Sequence, residues 1–227
     1  MFEVFGVSSQ ALFGQLLIGL INGSFYALLS LGLAVIFGML NIINFTHGAQ
    51  YMLGAFVAIF LLQYLDLGYW WALVIAPLVV GATGIVVERL FLRWLYQLDH
   101  LYGLLLTFGL ALIIEGVFRN FFGSSGLPYS VPPSLTGGHN LGFMFLPNYR
   151  AWVIVASLAI CLATWFVIER TKLGAYLRAA TENPTMVRAF GINVPRMITL
   201  TYGFGVALAG LAGVMAAPIY TVNPQMG

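Results

Sequence analysis

Apolar residues in this chain come in six long runs separated by polar connectors, at about residues 16–40, 42–65, 70–87, 101–118, 151–168 and 197–217. A hydrocarbon core of roughly 30 Å takes about 20 apolar residues in a helix, so each run is long enough to cross it once. The second run is unlike the others, because it opens NIINFTHGAQY, a stretch too polar to face lipid. That half is expected to face protein or to form a re-entrant or broken segment, since irregular backbone at membrane depth survives only where lipid is kept away. The pattern predicts an all-α fold: a polytopic transmembrane helical bundle of about six spans, one transmembrane domain over residues 1–227.

Composition agrees with the pattern. Charged residues make up 7% of the chain and the hydrophobic class 61%, against roughly 25% and 45–50% in soluble domains. A globule of this size leaves too much surface in contact with solvent to hide that much apolar area, so lipid must be the solvent for most of it. The net charge of +2 comes without a basic stripe, which argues against a nucleic-acid partner. Cys161 is the only cysteine, which excludes an internal disulfide. No second His or Cys stands at ligand spacing, so no metal or other cofactor is expected. The first run lacks a basic leader and a small-residue cleavage site, and is read as a span.

Basic residues near span ends stay on the cytoplasmic side. Connectors 88–100 and 169–196 carry Arg89, Arg93, Arg170, Lys172, Arg178, Arg188 and Arg196, while the opposite side has Arg119 and Arg150. The first side is therefore expected to be cytoplasmic, with both ends of the chain outside. The external connector contains GSSGLPYSVPPSLTGG and is expected to be a solvated loop of turns and extended pieces. Asp66, Glu88, Asp99 and Glu169 fall at span ends or connectors and are expected to be solvated. Glu115 and Arg119, at i and i+4, suit a helix-surface ion pair.

The cytoplasmic stretch 169–196 is too long for a simple turn between spans. Leu173, Tyr176, Leu177 and Ala180 fall at i, i+3, i+4 and i+7, the stripe of a short helix. Asn183 before Pro184 suits an N-cap with proline at the first helical position, and Gly191 a C-terminal cap. A helix of about two turns lies between them, with Met186 and Phe190 on one face and Arg188 on another. Alone in water it would not be stable. Two readings stand side by side: an interfacial helix resting on the bundle or headgroups, and an apolar, charge-rimmed knob docking in a groove of a cytoplasmic partner.

Small residues recur every fourth position at Gly19, Gly23 and Ala27, and at Gly205, Ala209, Gly213 and Ala217, a spacing that packs helices of the bundle or of a partner subunit closely. ALLSLGLA at 27–34 and ALAGLAGV at 207–214 are weakly alike, a pattern compatible with an internal repeat. A polar solute crossing lipid needs groups that replace its hydration. Asn22, Asn41, Asn44, Thr46, His47 and Gln50 are the candidates for a translocation pathway, with interhelical packing bonds as the competing role for the same side chains.

Two stretches carry a family resemblance. LNIINFTHG at 40–48, and RAATENPTMVRAFGINVPR at 178–196 followed by ITLTYGFGVALAGLAG, resemble the membrane-spanning permease subunits of ABC importers for branched-chain amino acids, with urea and amide permeases similar. The resemblance runs from about Gly19 to Gly227. It implies a bacterial inner-membrane protein working with a second permease subunit, fed by an external solute-binding protein and driven by two cytoplasmic ATPase subunits. By the same resemblance, 179–192 corresponds to the coupling helix, with Arg178, Glu182, Asn183, Pro184, Met186, Arg188, Phe190, Gly191 and Ile192 as ATPase-coupling residues. Family members commonly have an acidic residue two positions beyond the histidine of His47-Gly48, where this chain has Ala49 and Gln50. The family also continues past the Asn223-Pro224 turn, so the chain is read as C-terminally truncated.

The expected function is therefore a permease subunit of an ATP-driven importer, and not an enzyme. No GxxxxGK[ST] loop occurs, so ATP hydrolysis belongs to a separate subunit. The alternative is a secondary carrier or channel driven by an ion gradient, which needs titratable side chains inside its spans.

Overall fold

The computed structural model describes residues 3–4, 7–40, 42–96, 98–142 and 144–227. An antiparallel pair, β1 (Glu3–Val4) with β2 (Val7–Ser8), leads into α1 (Ser9–Leu40), followed by α2 (His47–Leu65) and α3 (Tyr69–Val87). A π-helical turn, Glu88–Leu92, continues α3 into the short α4 (Arg93–Leu95), and α5 (His100–Phe122) comes next. The hairpin of β3 (Gly138–Asn140) and β4 (Phe145–Pro147) precedes α6 (Asn148–Arg170), α7 (Lys172–Glu182), α8 (Pro184–Ala189) and α9 (Val194–Ala216). Each of the six apolar runs contains a helix long enough to span a membrane. The bundle has a basic end, holding α4, α7 and α8, and a loop end, holding 123–147.

Helix α9 is the axis: 67% of its apolar window is buried, against 6% for α5 at the periphery. Its small residues make this possible. Gly210 lies on the backbone of Gly54 in α2, Gly213 on the Tyr51 carbonyl and the Ala55 amide, and Gly205 on Gly32 and Ile36 of α1. Without a side chain in the way, backbones close to van der Waals distance and dispersion holds them where no hydrophobic drive exists. The stripe Gly205, Ala209, Gly213, Ala217 thus packs the bundle. The α1 stripe does not: Gly19, Gly23 and Ala27 are exposed, and nothing lies within 4 Å of a methyl group placed on Gly19 or Gly23.

The second run opens non-helically at 42–46 and its polar side chains Asn44, Thr46, His47 and Gln50 are buried against protein, so both arrangements its polarity allows are present. The Thr181 hydroxyl donates to the Met39 carbonyl, which fixes the end of α1 at the basic end. His47, the first residue of α2, instead meets the Leu29 carbonyl at 2.9 Å. Leu29 lies ten residues back along α1 from Met39, about 15 Å at 1.5 Å per residue. The non-helical stretch before His47 therefore returns alongside α1, and α2 starts at mid-depth.

Three expectations are corrected. Glu88 is not solvated; it is 1% exposed, because the π turn carries it inward between α4 and α9. The external connector is not a free loop. Leu127 and Val222 exchange backbone hydrogen bonds at 2.8 and 3.0 Å, Tyr129 is buried, and β3 pairs with β4 from Gly138↔Pro147 to Asn140↔Phe145. Beneath it, Tyr149 donates to the Met215 carbonyl at 2.7 Å and sits 3.0 Å from the Tyr69 hydroxyl, which accepts from Trp152 Nε1 at 3.2 Å. The connector is clamped to the bundle by the Leu127–Val222 pairing and by burial of the Tyr129 ring, whose hydroxyl has no hydrogen-bond partner. Finally, α7 buries Gly174 and Leu177, leaving Leu173 and Tyr176 exposed. Gly174 lies on the Ile168 carbonyl, so the contact face follows the glycine and not the predicted stripe.

Candidate functional site

Starting a helix at mid-depth leaves its first N–H groups without water to bind. The sequence 44–50 answers this locally. Asn44 Oδ1 accepts from the Thr46 amide at 3.1 Å and from the Thr46 hydroxyl; Asn44 Nδ2 donates to Gln50 Oε1 at 3.1 Å, and Gln50 Nε2 to Thr46 Oγ1 at 3.0 Å. The Phe45 amide donates to Thr107 Oγ1 of α5 at 3.2 Å. His47 Nε2 donates to the Leu29 carbonyl, leaving Nδ1 buried without a partner. The Tyr202 hydroxyl is also buried unpaired, facing Thr46 and Gln50. Asn44, Thr46, His47 and Gln50 are thus brought into one closed knot, and Thr46 and Gln50 are consumed by it. Asn22 stands apart, exposed on α1. Asn41 lies outside the described residues.

The knot borders open space along α1. On the loop-end side a cleft of about 490 Å³ is lined by Phe25, Tyr26, Tyr51, Tyr220, Asn223 and Gln225, among others. Sharing Tyr26 and Leu29 with it, a groove of about 600 Å³ passes Gly23, Ser30, Asn44 and His47. Toward the basic end a third stretch, about 530 Å³, continues past Leu33, Phe37, Ile43 and Phe45. The passage is polar in its outer part and apolar in its inner part. Its open side is the exposed face of α1.

At the basic end, α8 forms as its sequence predicts. Asn183 Oδ1 caps the Met186 amide at 3.0 Å, Pro184 occupies the first turn, and Gly191, at φ +81°, ends the helix with its amide on the Arg188 carbonyl at 2.9 Å. Val187 is buried and holds the helix to the bundle, while Met186 is 59% and Phe190 75% exposed. Glu182 and Arg188 are exposed beside them, and Ile192 is half-buried. Arg178 is engaged within the chain, with Glu169 at 2.9 Å and the Ile168 carbonyl at 2.6 Å. It braces α7 against the end of α6. Glu115 and Arg119 form the expected exposed ion pair.

Sequence reasoning passed over two groups. Glu88 accepts from Tyr96 at 2.9 Å and from Thr199 at 2.7 Å, joining the π turn to the second turn of α9 just beyond α8. A lone Glu at a span end carries no sequence mark of burial. The cleft tyrosines, Tyr26, Tyr51 and Tyr220, are spread over two helices and the segment after α9, and only the fold gathers them.

A family described as "Branched-chain amino acid transport system / permease component" matches residues 15–227. The high-affinity branched-chain amino acid transport system permease protein LivH of Escherichia coli (strain K12) is 29% identical over 227 residues, covering 94% of this chain and 73% of that protein. The corresponding protein BraD of Pseudomonas aeruginosa is 29% identical over 225 residues with the same coverage. LivM of Escherichia coli is 28% identical over 216 residues, 85% of this chain and 50% of LivM. No solved structure matches.

Proposed function

Because the chain belongs to the family of branched-chain amino acid transport permease components, we propose that it is the membrane-spanning permease of an ATP-driven importer for branched-chain amino acids. It sits in the cytoplasmic membrane with the basic end inward. A second permease subunit faces the open side of α1, two ATPase subunits bind at the basic end, and an external solute-binding protein delivers substrate at the loop end.

The observation that carries this reading is α8: a capped six-residue helix anchored by one buried side chain, Val187, with Met186 and Phe190 exposed and the charged Glu182 and Arg188 exposed in the same segment. A helix this short is not self-supporting, and large apolar groups rimmed by charge fit a groove on another protein. ATP binding closes the ATPase pair and displaces α8. Through Asn193, which caps α9 at the Arg196 amide at 3.0 Å, the displacement reaches the axis of the bundle. Work is done only because the contact differs between the two states.

The test is co-purification of the ATPase subunits with the Met186→Ala, Phe190→Ala double variant. Buried anchors at interfaces are worth about 2–4 kcal/mol, so association is expected to weaken by roughly 30-fold or more, with ATP-dependent uptake lost in proportion. Undiminished association would refute the assignment. The ion-gradient carrier draws on two buried titratable groups: His47, whose Nε2 is engaged by the Leu29 carbonyl, and Glu88. Both oxygens of Glu88 are occupied by hydroxyl donors, and this carboxylate borders neither cleft nor groove, which suits a structural tie better than a proton site.

A further inference from the structure

The turn that starts α2 has a twin after α9. Asn44 Oδ1 accepts the amide of residue i+2, Thr46, at 3.1 Å, and Asn223 Oδ1 accepts the amide of Gln225 at 2.9 Å. The His47 amide meets the Asn44 carbonyl at 3.4 Å, and the Met226 amide meets the Asn223 carbonyl at 3.3 Å. In both turns, a Gly stands four residues after the Asn: Asn44 and Gly48, Asn223 and Gly227. Each follows a small-residue helix, and those helices, α1 and α9, cross where Gly32 and Gly205 press on each other's carbonyls. The two turns also touch reciprocally. A methyl group on Gly48 would lie 2.5 Å from the Gly227 carbonyl carbon, and one on Gly227 would lie 2.6 Å from the Gly48 oxygen. The weak likeness of 27–34 to 207–214 is thus matched by hydrogen bonding and by a pseudo-symmetric contact at mid-depth.

Where the twin turns meet, the polar cleft opens. Its volume, about 490 Å³, falls within the roughly 300–1,000 Å³ of small-molecule sites. The Tyr51 phenol neighbours those of Tyr26 and Tyr220, and the three hydroxyls make no hydrogen bond among the described residues. Gln225 also lines the cleft, its backbone amide being taken up by the turn. Phe25, Leu29 and Met226 supply an apolar wall. No ionised side chain lines the cleft, so it suits a solute without net charge that has one hydrogen-bonding end and one aliphatic end.

We propose that this cleft, at the junction of the turns 44–48 and 223–227, is the permease's own contact site for the transported solute, a zwitterionic amino acid with an aliphatic side chain. Tyr26, Tyr51, Tyr220 and Gln225 replace the hydration of the ammonium and carboxylate groups, and Phe25, Leu29 and Met226 receive the side chain. This site rests on the importer reading and adds to it that the permease itself engages the solute.

The test uses the assembled importer in proteoliposomes with radiolabelled leucine. Tyr51→Phe removes a single hydroxyl that the fold leaves unbonded, and Gln225→Leu removes one carboxamide. Tyr64→Phe, at an exposed phenol far along α2, is the control. Leucine taken up per ATP hydrolysed is expected to fall at least about fivefold in each cleft variant and to be unaltered in the control. Values within about twofold of the parent for both cleft variants would overturn the proposal, as would an equal fall in the control. Parent uptake that proceeds without ATP would instead sink the importer reading and is recorded in the same experiment.

Discussion

Replacing Glu88 tests whether the basic end is held as described. The carboxylate is 1% exposed, with Tyr96 donating to one oxygen at 2.9 Å and Thr199 to the other at 2.7 Å. Hydrogen bonds to a charged acceptor contribute about 1.5–3 kcal/mol each, so two would suggest up to about 6 kcal/mol on removal. Three features reduce that figure. The single Thr199 hydroxyl proton has an alternative acceptor in the Pro195 carbonyl at 3.1 Å, and Tyr96 is 38% exposed and can turn to water. Burying the carboxylate is itself costly. The expected loss for Glu88→Ala is therefore about 2–3 kcal/mol, including the space left behind. Glu88→Gln keeps the volume and one acceptor and should lose about 1 kcal/mol. For a chain of this size, 1 kcal/mol moves the unfolding midpoint by about 2–4 °C, so midpoints in detergent should fall by about 5–10 °C for the alanine variant and about 3 °C for the glutamine variant. A Glu88→Ala midpoint within about 2 °C of the parent, or a glutamine variant no better than alanine, would refute the reasoning.

Gly213→Ala drives a methyl group into the Tyr51 carbonyl and the Ala55 amide; overpacking two backbones should cost about 3 kcal/mol or more, whereas Gly19→Ala, with nothing within 4 Å, should leave the midpoint unchanged or raised by up to about 1 kcal/mol equivalent. Asn183→Ala removes the cap of α8, worth about 1 kcal/mol, and trypsin should cut at Arg188 about fivefold faster in inside-out vesicles. Tyr149→Phe gives up the bond to the Met215 carbonyl and should lower the midpoint by the equivalent of about 1–2 kcal/mol. Glu115→Gln breaks an ion pair whose side chains are 33% and 51% exposed, and thermal unfolding should register less than about 1 kcal/mol.

The spans are legible in the sequence because lipid imposes one requirement on every residue of a run, so length and polarity suffice. Even the break in the second run can be read from NIINFTHGAQY, since polar groups at that depth need protein around them. The same holds for α8, whose cap, proline and terminal glycine are each local signals that the fold reproduces at Asn183, Pro184 and Gly191. What depends on two distant segments is not legible. Glu88 reads as a solvated end residue until the π turn aims it at Thr199. The loop between α5 and α6 reads as solvated until Leu127 finds Val222. Tyr26, Tyr51 and Tyr220 carry no shared spacing, so only the packing of α1, α2 and the segment after α9 makes them one wall. Leu173 and Tyr176 show the opposite failure, in which helical periodicity was right about the helix but close approach at Gly174 decided which face is buried.

A single cysteine at the tip of α8 interrogates the central claim most directly. With Cys161→Ala removing the native thiol, Phe190→Cys is treated with a short thiol-to-amine cross-linker in the assembled membrane complex. The account predicts a covalent adduct with an ATPase subunit whose yield changes when ATP is bound, and no reaction of that cysteine with an impermeant thiol reagent applied to intact cells. Labelling of residue 190 from outside the cell, or the absence of any ATPase adduct in a complex that still transports, would contradict it.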